Sequence, residues 1–211
     1  MDVKLEYYFP TPFWHVNILE TLESNNIKIK DLIKECKQIK TKNKGRKISN
    51  YGKNAYQSYD LKDENCKDNI SKTLAILNSI TQSIYKSNWK GDLCIDNCWL
   101  NINGKGGYNT PHIHPKSILA GAFYIKVPKD SGDFSIIRNS HEHFIYHSFG
   151  DVKTDEKGNN IYDAFLAEKI AFKPLVGDVF VFPAHLMHSV EKNKTNKKRI
   201  SLAFNCFNKW N

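Results

Sequence analysis

From Trp89 onward the chain is broken into short apolar runs that only a β-rich fold can accommodate. Residues 93–102, 118–127, 133–137, 169–172, 178–182, 188–190 and 199–207 alternate or stay apolar, with Gly, Pro, Asn and Asp between them. Before Trp89 the period is helical. Residues 67–86 carry Ile70, Leu74, Leu77, Ile80 and Ile84 on one stripe. Ile18, Leu19, Leu22, Ile27, Leu32, Ile33 and Ile39 recur at helical intervals, and Asn25-Asn26 divides them into two pieces. The aromatic, proline-broken segment 7–16 reads as an extended edge strand, and residues 42–60 as a basic, tyrosine-bearing loop. Helices first and strands afterwards predict an α+β fold whose C-terminal half is a β-sandwich or jelly roll.

A chain of 211 residues is long enough for one well-buried core. A single domain over 1–211 is expected, with a helical and edge-strand part to residue 90 and the strand-built core from 91. Within that core, residues 139–165 are polar, contain His141, His143 and His147, and are longer than a connection requires. They form an insertion and a candidate lid.

No run approaches the roughly 20 apolar residues that cross a bilayer, and residues 1–6 lack an export pattern. Five scattered cysteines argue against a disulfide framework, so a cytoplasmic protein is expected. Cys94 and Cys98 read as small core residues facing one side of a strand rather than half a zinc site. The formal charge of +9 invites nucleic acid as a partner. That reading is discounted because the cations are almost all lysine and spread along the chain, with residues 192–198 resembling a solvated hairpin turn. Arginine stands only at positions 46, 138 and 199.

The chemistry-bearing residues lie in the strand region. Residues i and i+2 of a strand share a face, so His112 and His114 can reach one cation, and Pro111 and Pro115 around them suit a strand mouth. Imidazole suits Fe(II), Zn and Cu. Two histidines alone would more often be surface residues; His188 and Arg199 downstream change that balance. Arg199 leads an apolar strand amid lysines, which suits a bidentate carboxylate clamp, and Ser201 shares its face. His141-Glu142-His143 is a rival pair, but its polar loop setting reads as lid or surface. His185 sits in a turn and reads as solvent-facing, and Asp178 as turn chemistry. The combination points to an open iron site beside an anionic co-ligand.

In order along the chain stand Trp99-x-Asn101, Gly107-Tyr108-Asn109, His112-x-His114-Pro115, Gly121-x-x-Tyr124, Pro128 and Ser131-Gly132. Pro174-x-x-Gly177-Asp178, Phe182-Pro183, His188, Arg199-x-Ser201 and Asn205 follow. This series resembles the 2-oxoglutarate/Fe(II)-dependent oxygenase superfamily, and within it a small group of such oxygenases from bacteria and phages. Phe9-Pro10-Thr11-Pro12, Ser49-Asn50-x-Gly52 and Gln57-Ser58 resemble that group's N-terminal signatures. The resemblance implies a double-stranded β-helix with the N-terminal helices packed on it. It also implies Fe(II), 2-oxoglutarate as co-substrate, and O2.

Carried over residue by residue, the resemblance makes His112 the first metal ligand and His188 the distal one. Arg199 pairs with the far carboxylate of 2-oxoglutarate, Ser201 adds a hydroxyl, Tyr124 stands against it, and Asn101 joins this set. The departure is His114, where most relatives carry a carboxylate. A third imidazole leaves the iron site one negative charge poorer. Either all three histidines bind, and are the catalytic set, or only one of His112 and His114 does. The implied activity is hydroxylation of a small molecule or a protein side chain, with succinate and CO2 released. Nucleic acid is the less favoured substrate, and a membrane is not expected. Two alternatives stand beside it: a three-histidine iron dioxygenase that needs no 2-oxoglutarate, and a non-catalytic jelly-roll binding or virion-associated module. The oligomeric state is open, a homodimer being one option.

Overall fold

In the computed structural model, which describes residues 11–62, 68–87, 89–138 and 168–208, the chain alternates between two antiparallel sheets. The N-terminal part comprises β1 (Trp14–Asn17), α1 (Leu19–Ser24), α2 (Ile29–Lys42), β2 (Asn50–Tyr51), β3 (Ala55–Gln57) and α3 (Asn69–Lys86). Then follow β4 (Leu93–Asn103), β5 (Tyr108–His112), β6 (Leu119–Lys126), β7 (Phe134–Ile137) and β8 (Lys169–Phe172). The chain closes with β9 (Asp178–Pro183), β10 (His188–Val190) and β11 (Arg199–Asn208). The larger sheet has the order β1-β9-β6-β11-β4-β3 and the smaller β2-β5-β10-β7-β8. This is the double-stranded β-helix expected. None of the described helices is long and apolar enough to cross a membrane.

The larger sheet is covered on both faces, which is why its strands read as nearly unbroken apolar runs. Outward, Leu100, Ile102, Phe123, Val179, Leu202 and Phe204 pack against Leu22, Leu32 and Leu77 of the three helices. Inward, Ala120, Tyr124, Phe180 and Phe182 meet Phe134 of the smaller sheet. The two-part helical segment is as read. Asn26, at φ 58, ends α1 in the left-handed conformation, and the N–H of Ile27 returns to the carbonyl of Leu22 at 2.8 Å. The start of α3 is capped from α2: Glu35 accepts from Asn69 Nδ2 at 2.5 Å and from the N–H of Ile70 at 3.1 Å.

Several expectations change. Residues 42–60 are not only loop, because β2 and β3 pair with β5 and β4 there. Such short strands, made by pairing rather than by pattern, leave no periodicity to read. Leu93, Ile95 and Cys98 all enter the helix-side core because the register against β11 shifts between Asn205 and Cys206, leaving Asp96 as a bulge. Cys94 and Cys98 therefore face opposite sides of β4. The edge strand at the N-terminus is present as β1 on β9, its residues 7–10 lying outside the described residues. The proposed lid, residues 139–165 with His141, His143 and His147, lies wholly outside them.

Leu202 is fully buried at the centre of the helix-side core. Leu202→Ala should lower stability by about 2–5 kcal/mol, read as a reduced midpoint in urea unfolding. A loss within error would mean that the helical layer is not packed as described.

Candidate metal centre

The smaller sheet brings two of the histidines together through register. His188 at the start of β10 lies directly opposite His112 at the end of β5, although the two are 76 residues apart. Two residues later Val190 faces Asn109, three residues before His112, so β5 carries one extra residue at Thr110-Pro111. The bulge lets Asn109 and His112 both face the interior. Pro111, which has no N–H to pair, sits exposed at that bulge.

His114 reaches the same place by a different route from the one its spacing implied. It lies two residues beyond the end of β5, and its backbone N–H donates to the carbonyl of Ala184 at 2.8 Å. A loop anchored to the β9–β10 turn, and not strand alternation, presents its ring. The ring nitrogens available for coordination on His112, His114 and His188 lie within 4.8 Å of one another.

Nε2 of His114 is 3.2 Å from Nε2 of His188. Two nitrogens bound at right angles to one cation, each about 2.1 Å from it, would be about 3.0 Å apart. His112 Nδ1 donates to the carbonyl of Thr110 at 2.7 Å, and His188 Nδ1 to that of Leu186 at 2.9 Å. Both rings thus spend their N–H on the backbone two residues earlier and keep the Nε2 lone pair for a metal. Burial lowers the pKa of His112. Burial, with His112 alongside, brings His114 to about 4 and His188 to about 3. At neutral pH all three are neutral imidazoles, the ligand form. Three such donors and no carboxylate fit a divalent first-row metal, Fe(II) included, and leave its charge uncompensated by the protein.

The facing wall belongs to the larger sheet. Ser201 on β11 pairs with Asn101 on β4 and with Tyr124 on β6, so the three form one row across adjacent strands. Arg199, two residues earlier, shares that face, and all four line the same cavity as the histidines. Arg199 is 1% exposed. Its Nη1 donates to the carbonyls of Ser131, Gly132 (3.1 Å) and Glu191 (3.4 Å), whereas Nη2 is buried with no partner among the described residues. A buried cationic N–H left unpaired is costly, and a carboxylate is its natural complement. Burial raises the pKa of Tyr124 far above neutrality, so it stays a phenol that can donate. Asn101 Oδ1 accepts from Asn50 Nδ2 at 3.2 Å, so its carbonyl side is already committed.

Some site residues carried no recognisable signal of their role. Gly132, at φ +94, holds its carbonyl on Arg199; a Cβ there would lie 2.9 Å from Nη1 and 2.2 Å from the Glu191 oxygen. Asn50 links Asn101 to Asn103, which donates to it at 2.7 Å. Trp99 lies 5.8 Å, ring to ring, from His114, and Phe134 and Phe182 close the wall behind His188. The Ser131-Gly132 and Trp99-x-Asn101 patterns marked these positions without revealing what they do. His185 is exposed, and Asp178 accepts from the N–H of Leu175 at 2.7 Å as a turn residue would.

A family model described as "Putative 2OG-Fe(II) oxygenase" matches residues 97–205, just over half of the chain. None of the curated proteins compared with the chain matches it. Among solved structures, a prolyl-4-hydroxylase from Pseudomonas putida superposes with a TM-score of 0.61 at 13% identity, covering 95% of this chain and 94% of that one. The 2-oxoglutarate-dependent epimerase SnoN of nogalamycin biosynthesis gives 0.64 at 12% identity, covering 94% and 78%. HygX of Streptomyces hygroscopicus, solved with nickel, 2-oxoglutarate and hygromycin B, gives 0.60 at 11%, covering 95% and 84%. At such identities these likenesses establish the fold.

Two outcomes are expected. His188→Ala should weaken Fe(II) or Co(II) binding by about 100-fold or more in anaerobic titration calorimetry; unchanged affinity would remove His188 from the ligand set. The unfolded chain protonates histidine near pH 6.5, the folded protein only near 4 for His114 and 3 for His188. Between those limits the unfolded state binds more protons, so chelator-treated protein should lose stability steadily as pH falls from 6.5. Urea midpoints measured across that range check this, and the slope should flatten when His114 and His188 are both replaced by Ala.

Proposed function

The chain belongs to the 2OG-Fe(II) oxygenase family, and from that premise we propose that it hydroxylates a small molecule or a protein side chain. It is a 2-oxoglutarate-dependent non-haem iron dioxygenase whose cofactor is Fe(II). One observation carries the reading of the site: three neutral imidazoles, two on the smaller sheet and one on the loop beside it, share a cavity with a buried, half-satisfied guanidinium on the larger sheet. His112, His114 and His188 would hold the iron. Arg199, with its unpaired Nη2, would receive the far carboxylate of 2-oxoglutarate, and the hydroxyls of Ser201 and Tyr124 and the amide of Asn101 line the same seat. When bound, iron and 2-oxoglutarate supply the oxidation, in which O2 and the oxoacid give succinate, CO2 and a hydroxylated substrate.

The chain's own share is placement and exclusion. The carbonyls of Ser131, Gly132 and Glu191 hold the guanidinium still, so the co-substrate's far end meets a rigid donor. Phe134, Phe182 and Ala203 make the wall between the two sheets apolar, which keeps bulk water from the oxidant. A dianionic co-substrate also suits the charge balance: one charge meets Arg199, and the other supplies what an all-imidazole cluster lacks. The unpaired Nη2 favours this reading over a three-histidine oxygenase that uses no oxoacid. The five cysteines, odd in number and scattered along the chain, support a cytoplasmic setting.

Anaerobic addition of Fe(II) and 2-oxoglutarate should produce the visible metal-to-ligand charge-transfer band. Arg199→Ala should weaken it, with circular dichroism confirming that the variant folds. No band from the native chain would refute the co-substrate assignment. The charge argument makes a separate prediction: 2-oxoglutarate should tighten Fe(II) binding, and the tightening should shrink in His114→Asp, which supplies a negative charge of its own. Equal coupling in both proteins would refute the charge-balance account.

A further inference from the structure

Lysines dispersed along the sequence converge at one end of the larger sheet. Four loops meet there. The β2–β3 turn touches the β4–β5 loop, Gly104 donating its N–H to the Asn54 carbonyl at 3.0 Å. The β4–β5 loop is joined in turn to the β10–β11 loop by reciprocal bonds, Gly106 N–H to Asn193 O at 2.7 Å and Asn193 N–H to Gly107 O at 2.9 Å. Lys194 N–H then donates to Asp130 O of the loop after β6 at 2.9 Å. The buried Asn193 side chain braces its own loop through the carbonyls of Asn103 and Lys197, both at 2.8 Å. Close approach of Gly52 to Gly106 completes the contact; a Cβ on Gly52 would lie 2.6 Å from the Gly106 carbonyl oxygen. This is a hydrogen-bonded platform rather than a set of independent turns.

Its outer surface is cationic. Lys53, Lys105 and Lys129 project one from each of three loops, and Lys192, Lys194, Lys197 and Lys198 from the fourth, all exposed. The acidic residues on these loops are Asp130, Asp133 and Glu191; Glu191 pairs with Lys169, and no ion pair to any of the seven lysines occurs among the described residues. A groove between the loop after β6 and the β10–β11 loop is lined by Pro128, Lys129, Asp130, Lys194, Thr195 and Lys197, three cations to one anion. The positive field reaches its neighbours: Lys40, near the end of α2, has its pKa lowered by burial and then by Lys198, and Lys194 adds to the lowering of the Glu191 pKa that the bond from Lys169 begins. An aromatic step borders the platform. Tyr51 is 42% exposed, its ring 6.0 Å from that of Tyr108, and Lys192 Nζ lies 5.4 Å from the Tyr108 centroid.

We propose that this lysine platform, with Tyr51 beside it, is a docking surface for single-stranded nucleic acid, separate from the metal cavity. Lysines on short, tied loops attract a phosphate chain without reading its sequence. The exposed tyrosine offers a face on which a base can stack. An acidic polypeptide would satisfy the lysines but has no use for the ring. Arg199, which opens β11 immediately after Lys198, points into the fold and is not part of this surface.

Fluorescence anisotropy with a labelled oligothymidylate of about twenty nucleotides tests this, using full-length protein at low and at physiological salt. Binding should weaken linearly in log salt. Lys194→Glu with Lys197→Glu should cut affinity about tenfold or more and reduce the slope by about 1.4. Tyr51→Ala should cut it about fivefold or more with the slope unchanged. The charge-matched control, Lys72→Glu with Lys90→Glu on the helical side, should change it little. The Fe(II)/2-oxoglutarate band serves as an independent readout and should be the same in every variant, so failure of the docking surface is not confused with failure of the metal site. No binding at low salt, or equal losses in the platform and control pairs, would overturn the proposal. Polyglutamate competing as well as unlabelled oligothymidylate, together with no effect of Tyr51→Ala, would assign the surface to an acidic protein instead.

Discussion

Antiparallel pairing of β10 with β5 sets His188 opposite His112, and because side chains alternate across a strand, a slip of one residue would turn one imidazole away from the cavity. The bulge at Thr110-Pro111 absorbs one residue so that the ladder continues while His112 stays inward. His114 then depends on the same neighbourhood, since the carbonyl that anchors its backbone belongs to Ala184, four residues before His188. The metal centre is therefore a property of the register of the smaller sheet.

Charge is distributed between the two walls in a complementary way. The histidine wall is neutral at physiological pH because burial opposes protonation of all three rings. The opposite wall carries a permanent cation, Arg199, stabilised by three backbone carbonyls on one nitrogen and by nothing among the described residues on the other. An arginine in this state favours a folded protein with an anion bound over one without. The same feature that makes the site a good receptor makes the empty protein less stable than it could be, as is common where function and stability compete. The external lysine platform extends that positive character to the surface, where it acts through solvent and is weakened by salt.

Much of this was legible in the amino-acid order. The seven strands read from residue 93 onward all occur, within a residue or two at their ends; the four in the larger sheet were plainest because that sheet is buried on both faces and its apolar runs are long. The stripe on α3 and the break at Asn25-Asn26 were equally plain. Strands β2 and β3 were not legible, because two or three residues become a strand only when a partner is already in place. The route of His114 was misjudged for a related reason: spacing of two suggests alternation on a strand, but β5 ends at His112 and a backbone bond to Ala184 does the positioning. The lysines looked dispersed because linear distance says nothing about which loops meet.

What the sequence by itself determined is the list of parts: an α+β chain ending in a strand sandwich, three imidazoles, and one arginine leading an apolar strand. It did so because periodicity and residue chemistry are local properties. Only the tertiary structure decided that Asn101, Ser201 and Tyr124 form one row, that Nη2 of Arg199 is left bare, and that four distant loops make one cationic face. Those facts depend on register and on hydrogen bonds between segments far apart in the chain, where a shift of one residue reverses which side of the sheet each group occupies.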